Sequence, residues 1–286
     1  MKLALYQGKD GPRSAAIWDD AVIDLHDVDP SIPVCTKELL AAGEPMLRLA
    51  EEASLQGHPL PLESVKLLPP IAAPQKIICV GANYAEHAKE FGRDLPDEPI
   101  IFCKFPTALH AANEPVVLPR VSEKVDYEAE LVVVIGREGR DIPESEALDY
   151  VAGYTCGNDV SARDWQFDKP SVQWLLGKSF DGFAPVGPWI VTPDEIPQPG
   201  NLDISLRLNG EIMQQSNTRH FIFPLPLLIA YVSQVCTLKP GDLLFTGTPS
   251  GVGMGRTPAV FLKPGDVMEV DIEKIGVLKN PIVAAS

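Results

Sequence analysis

The chain lacks a cysteine pair spaced for a metal knuckle, a basic stripe and an apolar leader. Its five cysteines stand at 35, 79, 103, 156 and 236, odd in number and far apart. Such spacing suggests neither a zinc knuckle nor a disulfide framework, so the expectation is small buried hydrophobes in a reducing compartment. Lysine and arginine total 24 against 39 aspartate and glutamate, a formal net charge of −15. A surface that acidic repels polyanions and argues against nucleic acid as a partner. Residues 1–7 carry no apolar run of the kind a secretion signal needs. The most apolar stretch, 221–236, is interrupted by Pro224, Pro226, Ser233 and Gln234. It falls short of the roughly 20 residues of a membrane span. These absences predict a soluble, cytoplasmic protein with no membrane or nucleic-acid partner.

Three catalytic signatures are also missing. Gly247-Thr248-Pro249-Ser250-Gly251 has the wrong spacing for the Gly-x-Ser-x-Gly elbow of a serine hydrolase. Gly177-Lys178-Ser179 invites a phosphate-loop reading, but the first glycine of that motif would fall on Val172. Gly251-Val252-Gly253-Met254-Gly255 leads into Arg256-Thr257-Pro258 instead of a helix, which disfavours a dinucleotide site.

Proline is plentiful. There are 28 in 286 residues, close to twice the usual share of about 5%. Prolines end helices and interrupt ladders, so the composition favours short strands joined by turns. Residues 1–72 read as a small N-terminal domain. It has strand candidates at 3–6, 14–18 and 21–25, and a helix over 37–55 with Leu39, Leu40, Met46, Leu47 and Leu49 as its apolar set. The proline-rich stretch 67–74 reads as a stiff connector. Residues 73–286 follow as a mainly β, α+β domain, with strands at 76–80, 100–104, 130–135, 189–192, 202–208, 242–246 and 267–272. A short helix is expected over 147–154 and a longer one over 224–235. Leu-Lys-Pro-Gly-Asp occurs at 238–242 and again at 262–266, each time as a Pro-Gly turn feeding a strand.

Chemistry concentrates in three segments. In Asp126-Tyr127-Glu128-Ala129-Glu130, extending the period of two from the strand at 131–135 puts Glu128 and Glu130 on one face, about 7 Å apart. Neighbouring carboxylates repel unless a cation or a shared proton intervenes. These residues alone leave two readings open: a solvated strand end, or ligands of a hard cation such as magnesium, manganese or calcium. Residues 156–166 add Asn158, Asp159, Arg163, Asp164 and Gln166 at an element boundary, where an ordinary helix cap is the plainer alternative. Lys178 lies in an apolar stretch and is expected to turn inward. In the third segment, 81–92, Asn83 and Glu86 suit a capped helix that Gly92 closes, and His87 and Glu90 share its face at i and i+3. A carboxylate orienting an imidazole makes a general base, although such pairs are often incidental on surface helices.

Together the segments at 81–87, 126–131, 158–166, 177–181 and 246–253 resemble the fumarylacetoacetate hydrolase family over about residues 75–286. The resemblance implies a mixed β-roll catalytic domain, preceded here by a small N-terminal domain, and a homodimer. It implies that Glu128, Glu130 and Asp159 hold Mg²⁺ or Mn²⁺, that His87 and Glu90 form a dyad on a lid helix, and that Lys178 is the active-site lysine. By the same resemblance Gln166 and Thr248 contact substrate. Arg163 either contacts substrate or holds its loop in an ion pair, and Lys104 meets a substrate carboxylate.

The implied substrate is a small 2-oxo acid. The first expectation is hydrolysis of an acylpyruvate or 2,4-diketo acid through a metal-stabilised pyruvate enolate. Decarboxylation or tautomerisation of oxaloacetate, or isomerisation or decarboxylation of aromatic-catabolism 2-oxo diacids, is the alternative. Substrate choice is expected to depend on the stretch near Phe91 to Pro96.

Overall fold

A long sheet runs through the molecule and carries the N-terminal segment at one end and the acidic motif near the other. The computed structural model describes residues 1–90, 92 and 94–285. Phe91, within the stretch expected to govern substrate choice, lies outside them. The main sheet uses β1 (Lys2–Gly8), β2 (Gly11–Trp18), β3 (Ala21–Asp24), β4 (Pro59–Pro61), β5 (Ile77–Gly81), β6 (Ile100–Lys104), β7 (Ala129–Ile135), β8 (Val151–Asn158), β9 (Ala184–Val191) and the short strand Leu243–Phe245. Their order is β4-β3-β2-β1-β9-β8-β7, then Leu243–Phe245, β5 and β6. Pairing of Lys2 with Val191 and of Leu3 with Ile190 joins the N-terminal strands to the rest in one sheet. A second sheet, among Asp203–Leu208, Glu211–Asn217, Val267–Ile272, Gly276–Ala284 and Val116–Leu118, packs against it.

Every residue of β7 is buried. Its alternate side chains enter two different cores: Leu131, Val133 and Ile135 pack with the second sheet, and Val132 and Val134 with the N-terminal helices. A strand covered on both faces reads as a continuous apolar run, which is why its sequence was so legible.

Four expectations need correction. Residues 37–55 form two helices, Thr36–Ala41 and Glu44–Ser54, because Gly43 adopts φ 77 between them. Residues 147–154 are not one helix: a 3₁₀ turn, Glu144–Tyr150, leads straight into β8. The stretch 67–74 is less a connector than packed structure, since Leu67 and Leu68 pair with β1 and Ile71 is buried. Of the cysteines, only Cys79 and Cys156 are buried, and Cys103 is exposed. Both Leu-Lys-Pro-Gly-Asp copies do make turns, with Gly241 at φ 83 and Gly265 at φ 95. In each, the aspartate accepts the N–H of the lysine three residues back at 2.7 Å. Among the described residues no helix is long and apolar enough to cross a membrane.

Candidate active site

Strand register builds the acidic cluster. Ala129 pairs with Asn158, so Glu128 and Asp159 fall beside each other where the two strands part. The Asp159 N–H donates to the Glu128 carbonyl at 2.9 Å, and the Glu128 N–H donates to Asn158 Oδ1 at 2.9 Å. Glu130 lies two residues along on the same face. Glu128, Glu130 and Asp159 each offer an oxygen within 4.8 Å of the others, and all three are buried.

Three cations surround these carboxylates unevenly. Lys178 Nζ donates to Glu128 Oε2 at 2.9 Å, Asp159 Oδ2 at 2.6 Å and Ser161 Oγ at 2.8 Å. Arg163 ion-pairs with Glu128 at 2.7 Å and Asp126 at 2.9 Å. Lys104 pairs with Asp159 and also donates to the Val160 carbonyl at 3.1 Å and the Phe183 carbonyl. Burial alone would raise the Glu128 pKa, but Lys178 and Arg163 outweigh it and hold the carboxyl at about 2. Glu130 makes no ion pair among the described residues; its Oε2 accepts the Gly247 N–H at 2.7 Å. Burial, then Asp159 and Glu128, push Glu130 well above the ordinary carboxylate range. Burial pulls Lys178 down, yet Asp159 and Glu128 more than compensate and keep it cationic. Three buried carboxylates, one of them lacking a cation, are a fit for a divalent ion with oxygen ligands.

A narrow cavity of about 50 Å³ opens beside the cluster, lined among others by His87, Glu128, Glu130, Arg163, Gln166, Lys178 and Thr248. Phe102, Phe167, Trp174 and Met254 supply its apolar walls. His87 reaches it from the short helix Ala85–Glu90, with Nδ1 3.0 Å from Glu90 Oε2. A carboxylate only accepts, so this contact places the proton on Nδ1 and leaves Nε2 as the basic nitrogen. Gln166 accepts from Arg163 at 2.9 Å through Oε1, which leaves its NH₂ to donate elsewhere. Gln214 donates to Thr248 Oγ1 at 2.8 Å, so the threonine hydroxyl keeps its own proton for another acceptor. Arg163 Nη2 is buried without a partner among the described residues. Arg163 as a whole lines the cavity, and a guanidinium there suits a carboxylate.

The structure thus gathers nine of the ten candidates at or around one cavity, Glu90 by way of His87. Lys104 is the exception. Its side chain is fully buried and paired with Asp159, and it does not line the cavity. Burial pulls its pKa down, against the upward pull of Asp159. Among the described residues Asn83 does not cap the helix: its amide bridges Thr246 and Phe223 at 2.8–3.2 Å, deep in the interior. Two residues were missed. Asp126 ties Arg163 to the N–H groups of Gly253 and Met254, and Gln214 positions Thr248. Asp126 had a signal in the doubled acidic motif; Gln214 is a polar residue at an alternating position with nothing local to mark it.

Residues 76–283 match the family described as Fumarylacetoacetate (FAA) hydrolase C-terminal. The chain belongs to the fumarylacetoacetate hydrolase family. It is an enzyme of that family, with the mixed, strand-rich architecture of its members. The mitochondrial oxaloacetate tautomerase fahd2 of Xenopus laevis is 46% identical over 288 residues, covering 99% of this chain and 90% of the relative. A fumarylacetoacetate hydrolase from psychrophilic Exiguobacterium antarcticum superposes with a TM-score of 0.87 at 35% identity, each chain fully covered. The maleylpyruvate hydrolase of Sphingobium sp. SYK-6, in complex with manganese(II) ion and pyruvate, gives 0.83 at 32% identity, again with full coverage.

Proposed function

We propose that this enzyme interconverts the enol and keto forms of a small 2-oxo diacid, with oxaloacetate as the substrate to test first. The observation that carries this reading is the narrow cavity itself. It brings Glu128 and Glu130 of the triad and one base, His87, together with Arg163, whose guanidinium is a match for a second substrate carboxylate. The similarity to the Xenopus laevis oxaloacetate tautomerase supports the same reaction.

Glu128, Glu130 and Asp159 would hold Mn²⁺ or Mg²⁺, and the manganese in the maleylpyruvate hydrolase complex favours Mn²⁺ as the first ion to try. Such an ion supplies Lewis acidity toward a 2-oxo acid. The chain's own residues do the rest. Arg163 and the Gln166 amide orient the substrate carboxylates, and Thr248 donates its hydroxyl proton. Lys178 keeps positive charge at the cavity floor, with its three donors committed to Glu128, Asp159 and Ser161. His87, held by Glu90, moves one proton between the enol oxygen at C2 and the carbon at C3. The reaction shifts that proton and a double bond; no carbon–carbon bond breaks and no water is consumed.

Hydrolysis of an acylpyruvate is the second reading. The His87–Glu90 pair at 3.0 Å is equally suited to activating a water, and the maleylpyruvate hydrolase neighbour favours it. Incubating chelator-stripped protein with oxaloacetate or acetylpyruvate, with and without Mn²⁺, separates the outcomes. Metal-restored loss of enol absorbance without pyruvate supports the tautomerase. Pyruvate from oxaloacetate indicates a decarboxylase, and pyruvate with acetate from acetylpyruvate a hydrolase.

A further inference from the structure

The carboxylate that orients His87 is itself held by the glycine-rich turn at 251–255. Glu90 Oε2 faces His87, and Oε1 accepts the Gly251 N–H at 3.0 Å. The turn is fixed from behind, since the Gly253 and Met254 N–H groups donate to Asp126 at 2.7 and 3.0 Å, and Asp126 pairs with Arg163. Met254 also lines the cavity. One continuous set of contacts therefore runs from the helix of His87 through the turn to the guanidinium beside Glu128.

The three glycines have different reasons to be glycine. Gly251 has φ +101, and a Cβ there would stand 2.2 Å from the Met213 carbonyl oxygen. A Cβ at Gly253 would stand 1.8 Å from the Val260 carbonyl oxygen. Both clashes are with backbone, so both glycines serve the shape of the turn. Gly255 is not in the left-handed region. The three atoms nearest to a Cβ there all belong to the Glu90 side chain, Oε1 at 2.5 Å, Cδ at 2.6 Å and Cγ at 2.9 Å. Alanine suits this backbone, and the atom it displaces is the end of a flexible side chain.

We infer that the 251–255 turn is a seat for the Glu90 carboxylate, and that Gly255 is a positioning residue for the proton-transfer base because any side chain at 255 occupies that seat. The inference rests on the reading of His87 as that base, and adds what sets its orientation. Gly255→Ala leaves the fold in place and pushes Glu90 off Gly251, so His87 loses its orienting partner.

The test is hydrogen exchange on chelator-stripped protein combined with a double-mutant cycle. In Gly255→Ala, loss of about one hydrogen bond should speed exchange at Gly251 and within 85–90 roughly fivefold to tenfold, with β7 unchanged. Glu90→Ala, which removes the acceptor without adding a side chain, should speed exchange at Gly251 likewise. With substrate, Gly255→Ala should lower kcat on the order of tenfold or more with KM within about twofold. Adding it to Glu90→Ala should change kcat by less than about twofold, because both act through one carboxylate. Unchanged exchange in both variants would overturn the seat. Equal kcat losses in the presence and absence of Glu90 would overturn the assignment of Gly255 to it. If the wild type turns over no 2-oxo acid, the proposed reaction fails, and the exchange arm still decides the seat.

Discussion

Lys104 is paired with Asp159 at the inner end of the acidic cluster, both side chains fully buried. A lysine so placed is committed to the protein. Removing one partner of a buried ion pair costs about 3–5 kcal/mol when the other is left uncompensated, but Asp159 keeps Lys178 at 2.6 Å. Lys104→Met should therefore lower the urea-unfolding free energy by less, about 1–3 kcal/mol, through the lost hydrogen bonds to Asp159 and to the Val160 and Phe183 carbonyls. An unchanged unfolding free energy with a raised KM would restore Lys104 to substrate contact.

Glu128 and Glu130 look alike in the sequence and should behave oppositely when neutralised. Glu128 is paired with Lys178 and Arg163, so Glu128→Gln unbalances two buried cations and should cost about 1–3 kcal/mol. Glu130→Gln relieves repulsion from Asp159 and Glu128 and should leave the metal-free protein at least as stable as the wild type. Both should abolish tight Mn²⁺ binding. Calorimetric titration with Mn²⁺ and thermal melting of the two variants check this directly; equal destabilisation would contradict the asymmetry.

The raised pKa of Glu130 carries a sign. An acid whose folded pKa exceeds its unfolded value, near 4.5, binds more protons folded than unfolded. Its contribution to stability therefore declines as pH rises from about 4.5 through the folded value. Metal competes with that proton, so stabilisation by Mn²⁺ should grow with pH over the same range. Melting curves with and without Mn²⁺ across pH measure it, and Glu130→Gln should flatten the metal-free slope. A metal effect independent of pH would argue against Glu130 as the protonated ligand.

How far the sequence could be read depended on the range of the interaction. The run Leu131–Ile135 announced its strand, and its period of two carried Glu128 and Glu130 onto one face. Asp159 was recognisable as a ligand partner by resemblance, but the Ala129–Asn158 register that places it was not, because the helix expected over 147–154 covers the first half of β8 and no strand is expected in the rest. That strand begins in an alanine- and tyrosine-containing stretch and includes Gly153 and Gly157, which carry little strand propensity. At Gly157 a Cβ would meet Val132 at 2.4 Å, so close packing and not propensity chose the residue. For Lys104 and Asn83 the partners were illegible for a related reason. Each has a plausible local role in its own segment, and each is claimed by partners more than 50 residues away.

His87 gives the account its most direct test. Following the enol absorbance of oxaloacetate in Mn²⁺-loaded wild-type and His87→Ala protein, with pyruvate assayed in parallel, reads the proposed proton transfer itself. The account predicts rapid loss of the enol signal without pyruvate in the wild type, slowed on the order of 10²–10⁴-fold by the substitution. Equal rates in the two proteins, or pyruvate appearing in step with the lost enol, would contradict it.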